Sequence, residues 1–170
     1  LFTGANVEDK NQYGISHFVE HMIFEGTKRW PDSQQIANII ERLGGDFNAA
    51  TTSENVSYYI TVPAQHWNTA LQVLAEIYKH SLFSLDKFEK ERNVILDEVK
   101  LINDTPREYQ WILFEKTLFE CHPLRNPVYG EIPILKKLTR DDLFHYYQKY
   151  YVPRNTVITV VGDVPDPRDI

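Results

Sequence analysis

His17, Glu20 and His21 stand at i, i+3 and i+4 in the run His17-Phe18-Val19-Glu20-His21. On a helix those three side chains share one face. Two imidazoles one turn apart can hold a single tetrahedral zinc ion at roughly 2.0–2.1 Å each. Glu20 then lies beside the metal, where a carboxylate can take a proton from metal-bound water. The plainer reading is a helix that happens to carry two histidines, since five-residue patterns recur by chance.

A third ligand has to come from elsewhere in the chain. Glu91 and Glu98, in Glu91-Arg92-Asn93-Val94-Ile95-Leu96-Asp97-Glu98, are two helical turns apart and fall on one face. Val94, Ile95, Leu101 and Ile102 are placed on that face too, and a carboxylate on an apolar stripe is costly unless it is paired or metal-bound. One reading makes Glu98 the ligand and Glu91 an outer carboxylate. The other is a wetted helix edge paired to Arg92 or Lys90. Asp97 points about 100° away and is the poorer donor.

These residues need elements to position them. A helix near 12–24 carries the histidines, with Ile15, Phe18, Val19, Met22 and Ile23 on its opposite, core-facing side. A second helix is expected near 32–43, opened by Asp32 with Gln35 as a capping box and stopped at Gly44-Gly45. Strands are expected at 46–52 and 55–62, then helices near 65–80, 84–104 and 107–119. Cys121 to Gly130 reads as a loop, Thr139 with Asp142 as the capped start of a short helix, and Asn155 to Val161 as an apolar strand. Strands and helices do not alternate one by one, so the class is α+β.

The chain has 170 residues, enough for a single domain with a real core. Its net charge of -6 argues against nucleic acid or an anionic membrane as the main partner. No apolar run approaches the roughly 18 residues of a membrane span. Leu1 to Gly4 resembles the inside of a strand, so the natural N-terminus is expected to precede it. Cys121 is the only cysteine and forms no intrachain disulfide. That suits a bacterial cytoplasm, with a mitochondrial matrix or periplasm as alternatives. His66, His80, His122 and His145 lack motif partners and are expected to be surface or core residues.

The combination of motifs resembles a known family. Glu98 follows His21 by 77 positions within E-R-x-V-I-L-x-E. Around it stand Gly14-Ile15-Ser16 before His17, Phe24-Glu25-Gly26-Thr27 and Leu43-Gly44-Gly45-Asp46-Phe47-Asn48-Ala49. Thr51, Glu54, Tyr58-Tyr59, His122-Pro123-Leu124, Tyr151-Val152-Pro153-Arg154-Asn155 and Gly162-Asp163 continue the match. Together they resemble the inverzincins of the pitrilysin, insulysin and mitochondrial processing peptidase family over essentially the whole chain.

The resemblance implies helices packed on a mainly antiparallel sheet, the LuxS and processing-peptidase type of metalloenzyme fold. It implies zinc held by His17, His21 and Glu98, with Glu20 as general base and Glu91 supporting a ligand histidine. Asn48 and Ala49 would border the cleft, on a strand that pairs with an extended peptide substrate. It also implies a second homologous domain or subunit, beyond residues 1–170, that completes the site with an arginine and a tyrosine. Two alternatives belong to other classes. One is an inactive peptidase-like subunit that only binds or assembles. The other is an S-ribosylhomocysteine lyase, whose HxxEH helix takes a cysteine ligand, for which Cys121 is the one available thiolate.

Overall fold

Residues 1–163 of the protein are described in a computed structural model. Seven α-helices and a two-stranded antiparallel hairpin appear among them. The first helix, α1 (Ile15–Phe24), is the centre of the domain. Ile15, Phe18, Val19, Met22 and Ile23 are all buried, as the sequence pattern requires. Helix α2 (Ser33–Glu41) starts at Asp32, whose side chain accepts from the Gln34 amide. Strands β1 (Asp46–Thr51) and β2 (Val56–Thr61) pair in register from Asp46 opposite Thr61 to Thr51 opposite Val56.

Helices α3 (Trp67–His80), α4 (Leu85–Asp104) and α5 (Pro106–Leu118) follow. Pro106 separates the last two, because its ring cannot continue α4 and suits the first turn of α5. A four-residue α6 (Ile132–Leu135) leads to α7 (Arg140–Tyr150). Thr139 and Asp142 close a reciprocal capping box on α7. Phe18 of α1 stacks on Phe88 of α4 with ring centroids 5.1 Å apart, tying the two site-bearing helices together.

Two backbone devices fix the start of α1. Gly14 and Gly130 both adopt left-handed φ, 92° and 79°. Their backbones touch: a Cβ on Gly14 would lie 2.7 Å from the Gly130 Cα, and one on Gly130 would lie 2.5 Å from the Tyr13 carbonyl oxygen. Only glycine satisfies both demands. The contact docks the 127–131 loop against the helix entry. Glu8 then acts as a cap from outside the helix, accepting from the Gly14 amide at 2.7 Å and the Ser16 amide at 2.9 Å.

Three expectations are corrected. Asn155 to Val161 is not a strand: Pro153–Asn155 forms a 3-10 turn, and Val157–Val161 make no backbone hydrogen bond among the described residues. An apolar run becomes a strand only beside a neighbour, and Val157, Ile158 and Val161 stand exposed. Leu1 to Gly4 is also outside any strand, although Leu1 exchanges hydrogen bonds with Val56 and Phe2 donates to Asn155. The apolar stripe of α4 is Phe88, Ile95, Leu96 and Val99; Val94 and Leu101 face solvent.

Candidate metal and catalytic site

The HxxEH run occupies the middle of α1. His17 is buried, His21 and Glu20 are half-buried, and their face opens toward α4 and β1. Glu91 and Glu98 both reach this face from α4, two turns apart. His17 Nε2 lies 3.8 Å and His21 Nε2 3.7 Å from the same oxygen, Glu98 Oε2. Those separations are too long for hydrogen bonds. They suit donors around one ion, because two ligands about 2.1 Å from a tetrahedral zinc sit roughly 3.4 Å apart. Glu98 is the carboxylate that joins the histidines; Asp97 points outward and pairs with Lys100 at 2.7 Å.

The remaining ring nitrogens are treated differently. His21 Nδ1 lies 3.2 Å from Glu91 Oε2, so an ionised Glu91 makes Nδ1 the donor and leaves the Nε2 lone pair for a metal. Burial opposes a proton on His21. The Glu91 hydrogen bond and the charges of Glu98, Glu91 and Glu20 outweigh it, and the imidazole pKa is raised. Glu91 is itself buried, which would raise its pKa, but His21 and Lys90 (Nζ 3.2 Å from Oε1) hold it below the usual value. Lys90 thus pairs with Glu91, and Arg92 with Glu89 at 2.8 Å. That ion pair coexists with the His21 contact, so Glu91 is no wetted edge.

His17 has no such partner. Its buried Nδ1 lacks a hydrogen bond among the described residues. Packing orients the ring instead: His21 and Tyr129 approach it edge-on at 4.7 and 5.2 Å between centroids. Burial, then the neighbouring His21, push its pKa down to about 3. A histidine held neutral is ready to donate a lone pair.

Glu20 receives a hydrogen bond from the Thr51 hydroxyl. Burial raises its pKa, and the Thr51 hydrogen bond and His21 partly offset this. A carboxylate with a raised pKa beside a metal site is suited to proton transfer. On β1 the side chains alternate, with Phe47, Ala49 and Thr51 turned toward the body and Asp46, Asn48 and Ala50 outward. Asn48 is exposed and bonds its own strand at the Ala49 amide. Asn48 and Ala49 therefore sit on opposite faces of β1.

Thr51, Tyr129 and Glu8 were not singled out by chemistry in the sequence. Strand alternation from Phe47 could have flagged Thr51 as inward-facing. Tyr129 and Glu8 act through loop contacts that carry no periodic signal. Cys121 is exposed and outside the donor group, which removes the basis for a lyase-type site. His122 accepts from the Leu124 amide and shapes its loop.

Replacing Glu91 by Gln is expected to weaken zinc binding about 10–100-fold, the usual cost of losing a carboxylate behind a ligand histidine. Competition with a chromophoric chelator measures this directly, and unchanged affinity would dissociate Glu91 from the metal.

Two histidines and a neighbouring glutamate on one helix, facing a glutamate from a second helix with a strand alongside, form the arrangement that the resemblance to inverted-motif metallopeptidases implies. The sequence profile of the Insulinase family (Peptidase family M16) matches residues 2–131. The chain belongs to this family. A second profile, described as the peptidase M16 inactive domain, matches residues 137–167.

Among relatives, the uncharacterized zinc protease YmxG of Bacillus subtilis (strain 168) is 38% identical over 164 residues, covering 96% of this chain and 40% of its own. The probable mitochondrial-processing peptidase subunit beta of Arabidopsis thaliana is 35% identical over 161 residues, covering 95% of this chain and 30% of its own. A protease from Helicobacter pylori superposes with a TM-score of 0.86 at 27% identity, over 90% of this chain and 37% of that one. The chain therefore spans about two fifths or less of the length of these proteins. The neighbours bear out the α+β class, with helices dominant and, among the described residues, a sheet of one hairpin. No described helix is long and apolar enough to cross a membrane.

Proposed function

We propose that this chain is the zinc-holding part of an endopeptidase that cleaves extended or unfolded peptides with metal-activated water. The observation that supports it most is the convergence of His17, His21 and Glu98 on one point, with Glu20 alongside. Zinc, when bound, supplies Lewis-acid polarisation of the scissile carbonyl and a water of lowered pKa, about 7.

The chain's own residues supply the rest. His17 and His21 each offer an Nε2 lone pair to the metal, and Glu91 accepts from His21 Nδ1, which leaves that Nε2 free. Glu20 accepts the water proton on its carboxylate and returns one to the leaving amine. Among the described residues β1 has a strand partner on one edge alone. Its other edge suits a peptide added as a third strand, with Asn48 and Ala49 along it. A second homologous part of the longer protein, or a partner subunit, would close the cleft over the peptide.

The test uses the full-length protein and an unstructured peptide. Hydrolysis is expected to stop on treatment with a zinc chelator and to return on adding zinc, with one zinc per domain by metal analysis. Hydrolysis that survives complete metal removal would refute the reading.

A further inference from the structure

Glu20 is held by a contact that neither its helix nor the metal ligands provide. Thr51, the last residue of β1, donates its hydroxyl hydrogen to Glu20 Oε2. Among the described residues this is the one side-chain hydrogen bond Glu20 makes, and Oε1 has no protein partner. A glutamate on a helix face rotates broadly about its last torsion. A single donor on one oxygen restricts that rotation and leaves the other oxygen free to accept a proton.

The donor is itself well anchored. Thr51 sits opposite Val56 in the hairpin register, and Val56 is buried and hydrogen-bonded to Leu1. Four residues back on the same inward face, Phe47 packs on Phe24 of α1 with centroids 5.3 Å apart. So β1 touches α1 beside the base and again at the helix end. β1 is also the strand whose free edge suits the peptide. One rigid element would then set both the register of the scissile bond and the orientation of the group that takes the proton.

We propose that Thr51 is a positioning residue for Glu20, locking the base to the substrate strand. This inference rests on the proposed peptidase reaction. A hydrogen bond to a charged group predicts an effect of roughly 10–100-fold when the donor is lost.

The experiment compares Thr51→Val, Thr51→Ser and Glu20→Gln in the full-length protein on one unstructured peptide. Thr51→Val keeps the strand-compatible shape and removes the donor. It is expected to lower kcat roughly 10–100-fold, with KM, zinc content and melting temperature close to wild type. Thr51→Ser, which keeps the hydroxyl, is expected to recover most of that loss. A wild-type kcat in Thr51→Val, a loss that tracks lost zinc or lost folding, or a Thr51→Ser variant as impaired as Thr51→Val would each overturn the proposal. Full turnover by Glu20→Gln would show that Glu20 is not the base and overturn the proposal, whereas wild-type hydrolysis that survives complete zinc removal would overturn the peptidase reading, so the two failures are distinguishable.

Discussion

Glu20→Gln in the full-length protein is expected to reduce peptide hydrolysis by at least about 10²–10⁴-fold, the typical contribution of a positioned acid–base group. The substitution is nearly isosteric. The amide oxygen still accepts from Thr51, so the side chain keeps its place beside β1. The three donors His17, His21 and Glu98 are untouched, so zinc content is expected to match wild type. What disappears is the capacity to accept a proton. Burial gives Glu20 a raised pKa that favours that capacity. Initial rates at equal protein and equal zinc separate loss of the base from loss of the metal. Turnover within a few-fold of wild type at full zinc occupancy would show that another group takes the proton.

The central part of this site could be read from the sequence because helical geometry converts spacing into direction. His17, Glu20 and His21 share a face for that reason alone, and the five apolar residues of α1 had to turn the other way. Glu91 and Glu98 followed from the same rule at two turns. The two strands were legible from alternation, after the helix stop at Gly44-Gly45, while their antiparallel pairing is seen in the structure.

Other features depended on partners that periodicity does not encode. Val94 and Leu101 look like core residues by type, yet the buried stripe of α4 runs through Ile95, Leu96 and Val99. Helix α5 forms where its pattern puts it, but none of its residues is buried; Trp111, Phe114 and Leu118 face outward. The Glu8 cap, the Tyr129 contact with His17 and the Thr51 hydrogen bond each join distant segments. Residue type at one position cannot announce such a meeting. Val157 to Val161 failed as a strand for the same reason, since strand propensity needs a neighbouring edge to act on.

Glu98 provides the strongest test of the metal assignment. Glu98→Ala is expected to lower zinc affinity well beyond the ~10–100-fold expected for Glu91→Gln, because it deletes a donor rather than a donor's support. The two residues sit two turns apart on one helix, differ in burial, and do different things. Glu91 is buried and bonded to His21 and Lys90. Glu98 is about one-third exposed, and its Oε2 lies equally close to both imidazole Nε2 atoms. Removing it also takes away a negative charge that favours a cation at this point and helps raise the His21 pKa. Zinc that binds the folded state stabilises it by RT ln(1 + [Zn]/Kd). The wild-type melting temperature is therefore expected to climb with free zinc over a range where the Glu98→Ala variant does not respond. Chelator competition gives the affinities independently of any peptidase assay. A Glu98→Ala protein that binds zinc as tightly as wild type, and melts with the same zinc dependence, would remove this carboxylate from the coordination sphere.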